Sequence, residues 1–203
     1  MHPRANRSPT RKSTRMDTAV TTPRHAPVAA APAPGLDVEH VVVMGVAGSG
    51  KTTVATLLAA RLGVEYAEAD EFHSPENIAK MSAGTPLTDA DRAPWLAAIR
   101  DWLTAEADAG RPGVVTCSAL KRSYRDVLRS ARGRVRFVHL TGTPELLAER
   151  MAHRSGHFMP TSLLPSQLAT LEPLGDDEDG LAVDVAAPPE EIAESVLARL
   201  AAS

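Results

Sequence analysis

The sequence predicts an α/β protein: a three-layer parallel sheet with helices on both faces. Three observations predict it. Short apolar, β-branched runs alternate with segments of helical period. The stretch Gly45–Thr52, GVAGSGKT, directly follows the first apolar run and opens the first helical segment. Polar residues gather just after the apolar runs, where a parallel sheet collects its ligand-binding loops. Alternation of this kind implies parallel pairing with right-handed crossovers.

The elements follow in order. Val41–Met44 is the first strand. Val54, Leu57, Leu58 and Leu62 fall at helical spacing, with Gly63 as the stop. Val64–Ala67 is a weaker second strand that runs out through Glu68-Ala69-Asp70. Ser74-Pro75-Glu76 reads as an N-cap with proline at the first helical position. A helix over residues 92–109 puts Trp95, Ile99 and Trp102 on one stripe, and Gly110 lies beyond it. Val114–Cys117 is the third strand, and Tyr124, Val127, Leu128 and Ala131 mark the helix after it. Val135–Leu140 is the fourth, and Thr143-Pro144-Glu145 opens another capped helix. Ala182–Val185 is the fifth, and Ile192, Val196, Leu197 and Leu200 line a last helix.

The 203 residues suffice for one such domain, placed at residues 37–203. Residues 1–36 hold six of the sixteen prolines, six basic residues and one acid, with no apolar period, and are read as a disordered, dispensable tail. A transit peptide also fits an arginine-rich, acid-poor head, but the prolines argue against the amphipathic helix it needs. The chain carries −3; without the head, sixteen basic and twenty-four acidic residues leave −8, which argues against a nucleic-acid partner. No apolar run approaches a membrane span. The single cysteine, Cys117, excludes an internal disulfide, fits a reducing, cytoplasmic compartment, and lies in an apolar run as a packing residue. The acidic stretch Asp176–Asp179 reads as a solvated loop.

GVAGSGKT fits the pattern G-x-x-x-x-G-K-[ST] of a phosphate-binding loop. Glycines let the main chain fold round an anion with its N–H groups inward, and the following helix adds the positive end of its dipole. Gly45, Val46, Ala47, Gly48, Ser49, Gly50, Lys51, Thr52 and Thr53 are therefore the candidate nucleotide contacts. Lys51 reaches the β- and γ-phosphates of ATP, and the Thr52 hydroxyl takes Mg²⁺. The guanine-reading N-K-x-D pattern is absent, since the asparagines are Asn6 and Asn77. A small-molecule kinase is the economical expectation.

Such an enzyme needs an acceptor pocket, a base and a mobile lid carrying arginines. Asp70 is placed to take a proton from the acceptor, with Glu68 holding the metal through water; an ordinary acidic loop is the alternative. Lys80, Arg92, Lys121 and Arg125 form a cluster of cations suited to an acceptor with its own negative group, though each singly also fits a solvated surface. Arg150 and Arg154, four apart, are placed to reach transferred phosphate from a closing lid. His157, beside Gly156, is either an acceptor contact or structural.

The strings DEFHSPENIAKMSAGTPLTDADRAPWL (Asp70–Leu96), CSALKRSYRDVLR (Cys117–Arg129), RMAHRSGHF (Arg150–Phe158) and LLPSQLATLEPL (Leu163–Leu174) resemble the gluconokinases over nearly all of residues 39–186. The resemblance implies the nucleoside-monophosphate-kinase fold, phosphorylation of D-gluconate by ATP with Mg²⁺, and a homodimer. It places the acceptor-facing acid on Asp70 with His73 just after it, acceptor-side cations on Lys80, Arg92, Lys121 and Arg125, lid arginines on Arg150 and Arg154, and a histidine on His157. One departure stands: aspartate-glycine-aspartate is usual where this chain has Glu68-Ala69-Asp70, which leaves the metal role of Glu68 open. A kinase of another carboxylated acceptor, such as shikimate, is the nearest alternative. A nucleotide-dependent binding protein using its basic head is the more distant one.

Overall fold

The computed structural model describes residues 40–152 and 163–202. Five strands form one parallel sheet: β1 (His40–Met44), β2 (Glu65–Ala67), β3 (Gly113–Thr116), β4 (Val135–Thr141) and β5 (Gly180–Asp184), in spatial order β2-β3-β1-β4-β5. The helices are α1 (Lys51–Leu62), α2 (Pro75–Ser82), α3 (Asp89–Asp108), α4 (Arg122–Leu128), α5 (Pro144–Ala152), α6 (Leu164–Thr170) and α7 (Pro189–Ala201). The expected tail, and the lid residues Arg154 and His157, lie outside the described residues.

Alternation along β1 builds two cores. Val41 and Val43 pack with Leu58, Val138, Leu140 and Val196 on one face, while Val42 and Met44 pack with Ile99, Leu103, Leu128 and Phe137 on the other. Successive side chains of a strand point to opposite faces, so a central strand covered on both is apolar over most of its length. Each fully buried aliphatic chain stabilises the fold by about 1.5–3 kcal/mol. Cys117 is 1% exposed, and burial pushes its thiol up to about 12.

Local signals set the helix ends. Gly63 ends α1 in the left-handed region (φ 67°), and the Ser74 side chain accepts from the Asn77 N–H at the start of α2. Helix α3 starts at Asp89 rather than residue 92, because Thr88 and Asp91 form a reciprocal capping box. Strand β2 does not run out through Asp70. It ends at Ala67; Glu68 is extended, and Ala69–Phe72 coils into a 3₁₀ turn. Helix α6 carries no sequence expectation at all.

His139 of β4 is 4% exposed. Burial, then the positive charge of Arg125, hold its imidazole below its ordinary pKa. A depressed folded pKa gives stability that is complete above the unfolded value of about 6.5 and is lost as pH falls through the folded one. His73 is lowered in the same sense, mainly by burial. Melting temperature should therefore fall on acidification below about pH 6.5, and His139→Gln should flatten that slope without abolishing it. An unchanged slope in thermal scans would remove His139 from the account.

Candidate active site

The phosphate loop forms where β1 meets α1. Gly45 (φ 139°) donates its N–H to the Ser118 carbonyl, and Gly48 (φ 80°) has no room for a side chain, since a Cβ there would lie 2.6 Å from the Leu147 carbonyl oxygen. Gly50 is left-handed at the N-cap of α1. The Ser49 hydroxyl donates to the Val46 carbonyl at 2.9 Å, and Lys51 Nζ to the same oxygen at 3.0 Å. The loop is thus shaped by its own side chains, with the helix N-terminus behind it.

A cavity of about 530 Å³ opens beside this loop. Lys51, Thr52, Glu68, Asp70, His73 and Arg92 all line it, so residues named from separate stretches of sequence converge on one space. Asp70 enters on the 3₁₀ turn rather than on a strand. That turn is held by Trp95 Nε1, which donates to the Ala69 carbonyl at 2.7 Å, and by the Ala69 N–H, which donates to Thr116 Oγ1 at 3.2 Å. The His73 ring stacks on Trp95, centroids 4.5 Å apart and planes at 11°. Burial keeps this imidazole neutral at ordinary pH; Asp70 pulls the other way and Arg92 adds to the lowering. Its Nδ1 is buried with no partner among the described residues, a position suited to a ligand hydroxyl.

Glu68 is fixed by three hydroxyls: Thr52 Oγ1 donates at 2.9 Å, Tyr66 at 2.6 Å, and Thr116 Oγ1 donates to the other carboxylate oxygen. Tyr66 and Thr116 were missed by sequence reasoning. The period-two spacing of Tyr66 and Glu68 is a signal that could have found the first; nothing local points to Thr116. The phenol of Tyr66 is driven well above its usual pKa by burial and then by the Glu68 carboxylate, so it remains a donor.

The remaining cations are placed differently from expectation. Arg92 alone of the four lines the cavity, donating to the Leu87 carbonyl with its guanidinium 5.8 Å from the Tyr124 ring centroid. Lys80 donates to Asp91 at 2.6 Å, and Lys121 to both oxygens of Asp89 at 2.9 and 2.8 Å; neither lines the cavity. Arg125 is the clear correction. It is 0% exposed and paired internally with Glu178, so it does not reach an acceptor. Arg150 also stands apart, donating to the Val185 carbonyl at 2.6 Å. It lines a second cavity of about 330 Å³ with Gly48, Thr52, Thr53, Pro189 and Ile192. The cavities share Gly48, Gly50 and Thr52.

No group of three or more His, Cys, Asp or Glu residues suited to a metal occurs among the described residues. Mg²⁺ needs none, since it takes one or two protein oxygens together with substrate phosphates. Thr52 Oγ1 and Glu68 Oε2, adjacent at the lip of the loop, supply hard oxygen donors of that kind. No helix among the described residues is long and apolar enough to cross a membrane.

Residues 41–174 match a family model described as an AAA domain. A gluconokinase of Gluconobacter oxydans is 55% identical over 163 residues, spanning 80% of this chain and 92% of that protein. The crystal structure of a gluconokinase from Sinorhizobium meliloti is 54% identical with a TM-score of 0.74, covering 82% of this chain and 93% of that one. A sugar kinase from a Janibacter species is 58% identical with a TM-score of 0.76, covering 79% of this chain and 93% of that one. With a phosphate loop, an acid and an arginine meeting in one cavity, and with identities this high across whole domains, the chain belongs to the gluconokinase family.

Proposed function

We propose that the enzyme transfers the γ-phosphoryl group of ATP to a terminal hydroxyl of D-gluconate, giving ADP and 6-phospho-D-gluconate. The observation that carries the reading is the shared cavity, which puts Lys51 of the phosphate loop in the same space as Asp70, His73 and Arg92. A linear sugar acid offers one carboxylate and several hydroxyls. Arg92 suits the carboxylate, while Asp70 and His73 suit the hydroxyls.

In the step itself, the acceptor oxygen bonds to phosphorus as the bond to the β-phosphate oxygen breaks. Asp70 takes the hydroxyl proton. Lys51 follows the charge on the γ-phosphoryl oxygens, and the loop amides hold the β-phosphate in line. Thr52 and Glu68 would hold Mg²⁺, which would supply neutralisation of the phosphate charge when bound. The second cavity takes the nucleoside end. There Arg150 offers a planar cation to the base, a role in place of the expected reach to the transferred phosphate. The assembly expected is a homodimer, and the compartment the cytoplasm.

Purified enzyme with ATP and Mg²⁺ should form ADP only when D-gluconate is added, and not with shikimate or other sugar acids at the same concentration. A coupled assay checks this. Turnover on shikimate in place of gluconate would overturn the substrate, and ADP release indifferent to any acceptor would overturn the kinase reading.

A further inference from the structure

Trp95 of α3 is 5% exposed and lines the larger cavity with Asp70 and His73. Its two contacts differ in chemistry. The edge of the indole donates from Nε1 to the Ala69 carbonyl at 2.7 Å. Its face lies flat on the His73 ring, with centroids 4.5 Å apart. Ala69 opens the 3₁₀ turn that carries Asp70, and His73 closes it, donating its own N–H to the Asp70 carbonyl at 3.4 Å. One side chain therefore grips both ends of the turn that bears the base.

The grip comes from a fixed place. Helix α3 begins with the Thr88–Asp91 capping box, and Arg92 stands one turn before Trp95 on the same helix. The acceptor-side cation, the base and the histidine are thus all referred to a single element. Trp102, further along that helix, meets Phe72 of the same turn edge-on at 6.5 Å and does not line the cavity.

We propose that Trp95 is the positioning residue of the acceptor half: its N–H sets the base for proton transfer, and its face sets the His73 ring for acceptor binding. The inference rests on the phosphoryl-transfer reading above. Proton removal and in-line attack tolerate little displacement, and a group misplaced by about 1 Å costs about 10²-fold in rate. A parallel stack directs the ring nitrogens of His73 along the indole face, so Trp95 fixes the plane in which they meet a hydroxyl. Placing the base acts on kcat, while placing a binding group acts on KM.

Three substitutions separate these roles from mere packing. Trp95→Phe keeps an aromatic face for His73 and removes the N–H. It should lower kcat roughly 10-fold, with KM for gluconate within about twofold of wild type. Trp95→Leu removes both contacts and should add a rise in KM of roughly 10-fold. Trp102→Phe alters the packing of the same turn and should leave both constants near wild type. It also leaves Trp95 as the one tryptophan of the chain, whose emission should shift as gluconate saturates the site. Trp95→Phe with wild-type kcat, or Trp102→Phe with the same loss, overturns the base-setting role and leaves a core contact. Emission indifferent to gluconate, or KM equal in Trp95→Phe and Trp95→Leu, overturns the His73 role, and the emission decides it where Trp95→Leu does not fold. Wild type inert towards gluconate is seen before any variant is read, and this inference then falls with the substrate reading.

Discussion

Asp70→Asn is expected to lower kcat by about 10³-fold while nucleotide binding and melting temperature stay near wild type. The carboxylate sits in the shared cavity on a 3₁₀ turn whose geometry is set elsewhere, by Trp95 on the Ala69 carbonyl and by Thr116 on the Ala69 N–H. The substitution therefore leaves the turn in place. Asparagine keeps size and hydrogen bonding but accepts no proton, so the loss isolates the base function. Glu68 does not substitute for it, because three hydroxyls already hold that carboxylate. His73 is the remaining candidate, kept neutral by burial and stacked beside the cavity. Steady-state kinetics with D-gluconate decide the matter. An Asp70→Asn enzyme that retains most of its kcat would pass the proton to His73 and remove Asp70 from the chemistry.

The sheet was legible because burial on two faces forces continuous apolar runs, as at Val41–Met44, and because caps such as Ser74 and Gly63 act locally. The phosphate loop was legible for the same reason: its glycines and lysine answer to constraints within one short stretch, Gly45–Thr52. What failed depends on partners far along the chain. Lys121 and Arg125 were both read as acceptor-side cations, yet Lys121, the N-cap of α4, turns to Asp89, and Arg125 turns inward to Glu178. The stretch Asp176–Asp179 was read as solvated. Asp176 and Asp177 are exposed, though Asp177 pairs with Arg122; Glu178 is instead buried against Arg125, and Asp179 pairs with Arg134 and Arg136. Charge type is visible in a sequence, but whether a charge meets a partner far along the chain is not. Pro189 escaped notice likewise, because it acquires its place only when α7 docks on the sheet.

Arg125→Ala is expected to cost about 3–5 kcal/mol of stability, a large share of the ~5–15 kcal/mol of an ordinary domain. Its side chain and that of Glu178 are 0% and 1% exposed. Nε and one terminal nitrogen donate to the two Glu178 oxygens at 2.6 and 2.7 Å, and the remaining donors go to the carbonyls of Ala119, Glu172 and Pro173. Every N–H of the guanidinium thus has an acceptor. The Glu178 carboxyl is lowered from its usual pKa chiefly by this arginine, with burial opposing. Alanine leaves that carboxylate buried with the Gly175 N–H, at 2.9 Å, to meet it. It also releases Ala119, a non-glycine residue at φ 44° between the cavity-lining Ser118 and Leu120. The paired change Arg125→Met with Glu178→Leu removes the stranded charge, so it should regain most of the lost stability. It does not restore the anchor on Ala119, so kcat/KM for gluconate should remain depressed in the double variant even where the fold survives. Urea midpoints of the single and double variants, beside their kinetics, separate these two roles. A single variant with an unchanged midpoint and a raised KM for gluconate would return Arg125 to the acceptor, where its sequence neighbours first suggested it belonged.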